Sequence, residues 1–136
     1  MKLDFGSNFL AAIGLATDTL SATTFEGNSV DHQKGPSSAF IIDCGTFATS
    51  LVAKLQYSEN DSDWTDEPTP SETYGYPGND VSITFTEAGL QVLKCPNPRG
   101  RYTRCHITSG GANEVCVVNI VGPLRKVDPT ATSLVS

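Results

Sequence analysis

The stretch LQYSENDSDWTDEP, residues 55–68, places Glu59, Asp61, Asp63, Asp66 and Glu67 around the chain's only tryptophan, Trp64. Three kinds of chemistry suit that set. Oxygen ligands at Asp61, Asp63, Asp66 and Glu67 could hold calcium, but the EF-hand order and its mid-loop glycine are missing. Carboxylates could serve as general acid and base, but only in a cleft that raises one pKa, which an unconstrained loop does not supply. The third reading is structural. Asn and Asp bond back to their own backbone and tolerate unusual dihedrals, so SENDSDW reads as an acidic hairpin loop, with the Trp64 ring laid against the sheet edge. The structural reading is the expectation, with calcium as its alternative.

Other constellations are weaker. His32 and His106 are the only histidines, and His106 shares a strand face with Arg104, which suits a structural or interface role. Ser109, His106 and an aspartate could be imagined as a nucleophile, base and acid, but no spacing selects them. Gly110-Gly111 is a turn without the lysine of a phosphate loop or the repeated glycines of a dinucleotide site. Trp64, Tyr74, Tyr76 and Tyr102 could line a sugar-binding face, or seal the end of a sandwich or a subunit contact. Cys44, Cys95, Cys105 and Cys116 show no CxxC or Cys/His spacing, so zinc is not expected. Cys105 and Cys116 lie in apolar runs and are expected to be reduced, a bridge across a hairpin being the alternative. No catalytic residue, cofactor or metal is expected, and the chain does not read as an enzyme.

The elements that position these residues are strands. A length of 136 residues suits one domain with a real core, and 12 Gly, 8 Pro and many Ser and Thr favour short strands with turns. Phe40, Ile42 and Cys44 alternate with Ile41 and Asp43. In LVAKLQY, Leu51, Ala53, Leu55 and Tyr57 share one face while Val52, Lys54 and Gln56 share the other. VSITFT repeats the pattern with Val81, Ile83 and Phe85 inward. RYTRCHIT sets Tyr102, Arg104 and His106 against Thr103, Cys105 and Ile107. SGGAN then reads as a hairpin turn into EVCVVNIVG, which is apolar on both sides and reads as a central strand. The fold class is therefore all-β, a β-sandwich or jelly-roll-like double antiparallel sheet.

The ends differ in composition. Residues 1–35 scatter Phe5, Phe9, Leu10, Ile13 and Leu15 among small and polar residues, so they are expected as an N-terminal arm with at most one short helix, ordered by a neighbouring subunit or the shell, with strand addition to an exposed edge as one route. Residues 28–38 read as loop, 36–127 as the sandwich, and 128–136 as a flexible tail. Asp4, Gly6, Ser7 and Asn8 argue against a signal peptide, and no apolar run is long enough to span a bilayer. Nine basic against fifteen acidic residues give a net charge of −6. That disfavours a phosphate-backbone binder, so neither nucleic acid nor membrane is an expected partner.

The order of pieces carries more than any one of them. The polar loop LQYSENDSDWTD is followed by TFTEAGLQVLKC, then the arginine-aromatic strand RYTRCHIT, a glycine turn and VCVVNIVGPLRK. This order, over residues 38–126, resembles small virion proteins of tailed bacteriophages encoded among head genes, some of which look like capsid decoration (cement) proteins. The matching pieces are residues 57–66, 100–105 and 120–125. Departures are the lack of glycine in the acidic loop, Cys105 and Cys116 where valine-like residues are expected, and Pro123-Leu124 in place of a His-Pro step. The resemblance implies a non-enzymatic virion structural protein on the capsid surface, a homo-oligomer that binds the major capsid protein. Candidate interface residues are Phe9, Ile13, Trp64, Tyr74, Tyr76, Arg101, Tyr102 and Arg104. The alternatives are a carbohydrate- or host-surface-binding sandwich, or a neck or tail component.

Overall fold

The computed structural model describes residues 10–20, 23–68 and 78–123, which form two antiparallel sheets packed face to face. The strands are β1 (Leu10–Leu20), β2 (Thr23–Glu26), β3 (Val30–Asp31), β4 (Ser37–Thr46), β5 (Leu51–Ser58), β6 (Thr65–Asp66), β7 (Ser82–Phe85), β8 (Gly89–Cys95), β9 (Tyr102–Ser109) and β10 (Asn113–Gly122). The four-stranded sheet runs β1-β10-β4-β8. The six-stranded sheet runs β2-β9-β5-β6, with β3 also on β9 and β7 also on β5. The fold is an all-β sandwich.

Period-two patterning decides what fills the interior. Phe40, Ile42 and Cys44 of β4 and Val115 and Val117 of β10 are buried, and they meet Leu51, Ala53 and Leu55 of β5 and Cys105 and Ile107 of β9. Phe85, Leu93 and Cys95 close one side, and Val30 and Val121 the other. Burial pushes the thiols of Cys95 and Cys105 up to about 12, so they behave as small core residues and not as nucleophiles. All four cysteines are free.

Two expectations are corrected. Residues 10–20, 23–26 and 30–31 are strands, not an arm or a helix: β1 pairs along β10, and β2 and β3 pair with β9. The reason is that β10 is apolar on both faces and β9 alternates, so each gains by having both edges covered. Small residues at Ala11, Ala12 and Gly14 let β1 lie close. Residues 1–9 and 124–136 lie outside the described residues. The loop expected at 28–38 also contains β3 and His32, which is buried, with Nε2 2.8 Å from Thr103 Oγ1 and Nδ1 3.1 Å from the Gly35 carbonyl.

The second correction concerns SGGAN. β9 and β10 are not a hairpin. They belong to different sheets, and residues 110–112 cross between them. The crossover is held by Asn113, fully buried, whose Oδ1 accepts from the amides of Ala48 (2.7 Å) and Thr49 (3.2 Å). Its Nδ2 donates to the Ser50 carbonyl (3.1 Å) and Ser109 Oγ (3.0 Å). The β4–β5 and β9–β10 crossings are thus stitched together at one end of the sandwich. Gly110 and Gly111 lie so close to Ser50 and Thr49 that a side chain at either position would collide with them. Cys105 faces the interior from one sheet and Cys116 lies on the other, which leaves no hairpin for a bridge to cross.

Candidate functional site

The outer face of the six-stranded sheet carries a connected row of polar and charged side chains. β9 turns Tyr102, Arg104 and His106 outward because Thr103, Cys105 and Ile107 fill the core. Register then fixes their neighbours: Glu26 lies beside His106 and His106 beside Lys54, while Arg104 lies beside Gln56 and Gln56 beside Asp66. Arg104 Nε donates to Gln56 Oε1 (2.8 Å), and Gln56 Nε2 donates to Asp66 Oδ1 (2.8 Å). Lys54 Nζ closes the row on Asp66 Oδ2 (2.9 Å). The Arg104 guanidinium lies 4.3 Å from the centre of the Trp64 ring, with Glu26 Oε1 at 3.9 Å.

This arrangement sets the local electrostatics. The hydrogen bonds from Gln56 and Lys54 pull the Asp66 carboxyl below the usual range. Partial burial lowers the Arg104 pKa, which Glu26 and Asp61 oppose. His106 is lowered chiefly by burial and then by Lys54 and Arg104, and its buried Nδ1 has no hydrogen-bond partner among the described residues. A cation–π stack over a partly desolvated Arg is worth about 0.5–2 kcal/mol.

The acidic loop is held by this face. Asn60 Oδ1 accepts from the amides of Ser62 (3.0 Å) and Asp63 (2.8 Å), the backward-bonding turn expected of Asn, and Asp61 takes a left-handed conformation at φ 60°. Its carboxylates disperse to different partners. Asp61 accepts from Ser29 Oγ (2.6 Å), Asp63 from Asn60 Nδ2 (2.8 Å), and Asp66 from Lys54 and Gln56. Glu67 turns inward, almost wholly buried, to pair with Arg99 Nε (2.6 Å) and accept from Asn79 Nδ2 (3.0 Å). Among the described residues no three His, Cys, Asp or Glu side chains form a metal-holding group.

A depression of about 350 Å³ is lined in part by Ile13 and Asn119 from one sheet and by Asn28, Asp31, Asp61 and Tyr102 from the other side. Arg101 forks onto Asp31 (3.1 and 3.0 Å), also bonds Gln33 Oε1 (3.0 Å), and lies 4.9 Å from the Tyr102 ring centre. Arg101 thereby pulls the Asp31 carboxyl down.

Of the candidate interface residues, the structure brings Trp64 and Arg104 into contact, and sets Ile13 and Tyr102 at the depression, with Arg101 bonded to the Asp31 that lines it. Trp64 rests on the Arg104 guanidinium instead of bare sheet edge. Phe9, Tyr74 and Tyr76 lie outside the described residues. Sequence reasoning missed Glu26, Lys54 and Gln56 as partners of this face, and Asp31 as the partner of Arg101. The first three are legible only once β2, β5 and β9 are set side by side, because their contacts are cross-strand.

The chain matches no protein-family model and no curated protein sequence. Its fold is similar to that of a solved structure, the SPBc2 prophage-derived protein YomS. The TM-score is 0.50 with 12% identity, over 84% of this chain and 92% of that one. At that identity the likeness is one of fold.

Proposed function

We propose that the protein is a structural component of a bacteriophage particle, acting without turnover as a decoration protein on the outside of the capsid shell. The observation that carries the reading is the Trp64–Arg104 stack, fixed in the middle of an open sheet face by Gln56, Asp66 and Glu26. Trp, Tyr and Arg dominate the energy of protein interfaces, and side chains already ordered lose less entropy on docking. The major capsid protein is the partner, met by the Trp64, Arg104, Arg101 and Tyr102 side of the molecule. The order of sequence motifs and the fold shared with a prophage-derived protein favour a phage origin.

The electrostatics favour binding over catalysis. A general acid needs its carboxyl raised toward neutrality. Asp31 and Asp66 are instead pulled down by their cationic and amide partners, and Glu67 is engaged in an ion pair. A sugar-binding platform needs an open aromatic face, and Arg104 already covers one face of Trp64.

Two measurements test the reading. Mass spectrometry of purified virions from the phage or prophage that encodes the chain should find it at a fixed ratio to the major capsid protein. Purified protein should co-sediment with mature shells to saturation, and Trp64→Ala should weaken that binding about tenfold or more, as loss of an interface anchor does. Absence from virions together with failure to co-sediment would end the proposal. A glycan-array signal lost in Trp64→Ala would replace it with carbohydrate binding.

A further inference from the structure

The opposite face of the sandwich has a different chemistry. On the outer side of the four-stranded sheet, the register lines up Ile13 of β1, Val118 of β10, Ile41 of β4 and Val92 of β8 in one continuous row. Ile13 is 54% exposed and Val92 38%, and Leu90 on the same face reaches 62%. One flanking row holds Ile120, Ala39 and Lys94; the other holds Cys116, Asp43 and Leu90. An apolar stripe crossing a whole sheet is not the scattered exposure of an ordinary surface. Asp43 and Lys94 are both exposed, stand on opposite sides of the stripe, and form no ion pair among the described residues.

We propose that this face binds a second copy of the same chain, through a two-fold axis running along the Ile13–Val118–Ile41–Val92 row. Rotation about that axis lays the stripe on itself and exchanges the flanking rows. Lys94 then stands over the partner's Leu90, one strand away from the partner's Asp43, a lateral step of about 4.8 Å that a lysine spans easily. Symmetry makes the contact twice. An axis parallel to the strands would put Asp43 over the partner's Cys116 and leave both charges unmatched, so charge complementarity selects the first arrangement. Association by extending the sheet from β8 is less suitable, because at Lys94 the outer edge is already capped: Asp80 Oδ2 accepts from its amide (2.7 Å) and the Asp80 amide donates to its carbonyl (2.8 Å).

The patch is small. Four strands about 4.8 Å apart and three rows about 6.8 Å apart cover roughly 400 Å² of sheet, below the ~800 Å² per partner of a standard interface. A weak, concentration-dependent dimer follows, of the kind that gains from display on a repeating lattice. Apart from Ile13, which also borders the depression, the row lies on the sheet away from Trp64, and the inference does not depend on shell binding.

Sedimentation equilibrium on the full chain, from about 1 μM to about 1 mM, reads the association directly. Wild type should shift from monomer to dimer. Lys94→Glu and Asp43→Lys should each weaken dimerisation about tenfold or more, while the double reversal should recover it to within about threefold, because the two charges meet across the axis. Leu90→Ser with Val92→Ser should also weaken it, and an unchanged urea midpoint would show that these exposed positions leave the fold intact. A wild type that stays monomeric at the highest concentration overturns the proposal. A double reversal no better than either single one overturns the two-fold arrangement.

Discussion

Gly14 lies directly against the side chain of Asn119, so that a Cβ at position 14 would collide with Asn119 Oδ1. Position 14 is also where β1 slips its register on β10: Ile13 faces Val118, but Leu15 faces Val117. The slip re-aims the strand, turning Ile13 outward and Leu15 toward the core. Asn119 Nδ2 donates to the Asn28 carbonyl (2.7 Å), and Asn28 bonds back to the carbonyls of Gly14 (2.8 Å) and Ile13 (3.0 Å). Gly14, Asn28 and Asn119 therefore join the two sheets along the β1 side.

Gly14→Ala is expected to destabilise the fold by about 1–3 kcal/mol, the cost of forcing atoms into a packed site. Asn119→Ala removes the obstacle but strands the Asn28 carbonyl. The double variant should therefore be more stable than the sum of the two single effects, by about 0.5 kcal/mol or more. Urea unfolding of all four proteins measures this, and strict additivity would show that the contact does not couple the residues.

Asn113 uses both ends of its side chain to hold the two crossings between sheets. Asn113→Ala strands the amides of Ala48 and Thr49 in a buried site, and the expected loss is about 2–3 kcal/mol. Asn113→Asp keeps the acceptor but loses both donated bonds and buries a carboxylate, so it should be at least as harmful near neutral pH. Equilibrium unfolding at pH 7 decides this. A change below about 0.5 kcal/mol, as at ordinary surface sites, would mean that the crossings hold themselves.

His106 makes stability depend on pH. Burial, Lys54 and Arg104 lower its pKa in the folded protein, with Glu26 and Asp66 opposing them only in part. The unfolded chain then binds a proton more readily. The contribution is complete above the unfolded histidine value of about 6.5 and is lost as pH falls from there through the folded pKa. Asp31 and Asp66, also lowered, lose their contributions at more acid pH, below about 4. Wild type should therefore lose stability between pH 7.5 and 5, and His106→Gln should lose less over the same interval. Equal losses in the two proteins would assign the acid sensitivity elsewhere.

Much of the sandwich was legible because the core strands obey period two. Phe40, Ile42 and Cys44, then Leu51, Ala53 and Leu55, then Thr103, Cys105 and Ile107 all face inward as their alternation requires. Partner choice was not legible. A glycine-rich turn between two strands suits a hairpin and a sheet-to-sheet crossing equally, and the deciding contact, Asn113 to residues 48–50, spans more than 60 positions. β1 was hidden for a related reason: Ala11, Ala12 and Gly14 carry little hydrophobic signal, and their strand conformation comes from β10. Trp64, Arg104, Arg101 and Tyr102 were identifiable by type, whereas the Gln56, Asp66, Glu26 and Asp31 that fix them became neighbours only through register.

The acidic stretch 59–67 should divide sharply under substitution. Glu67 is buried against Arg99 and Asn79, and removing one member of a buried pair leaves an uncompensated charge at a cost of about 3–5 kcal/mol. Glu67→Ala is expected in that range. Asp63 is exposed and, among the described residues, bonds within its own turn alone, so Asp63→Asn should change stability by no more than about 0.5 kcal/mol. Calcium should neither raise the melting temperature nor give a binding isotherm by calorimetry, because Asp61, Asp63, Asp66 and Glu67 are drawn to separate partners. Micromolar calcium binding lost in Asp61→Asn would mean that the loop rearranges around an ion, and the stretch would then be a metal site after all.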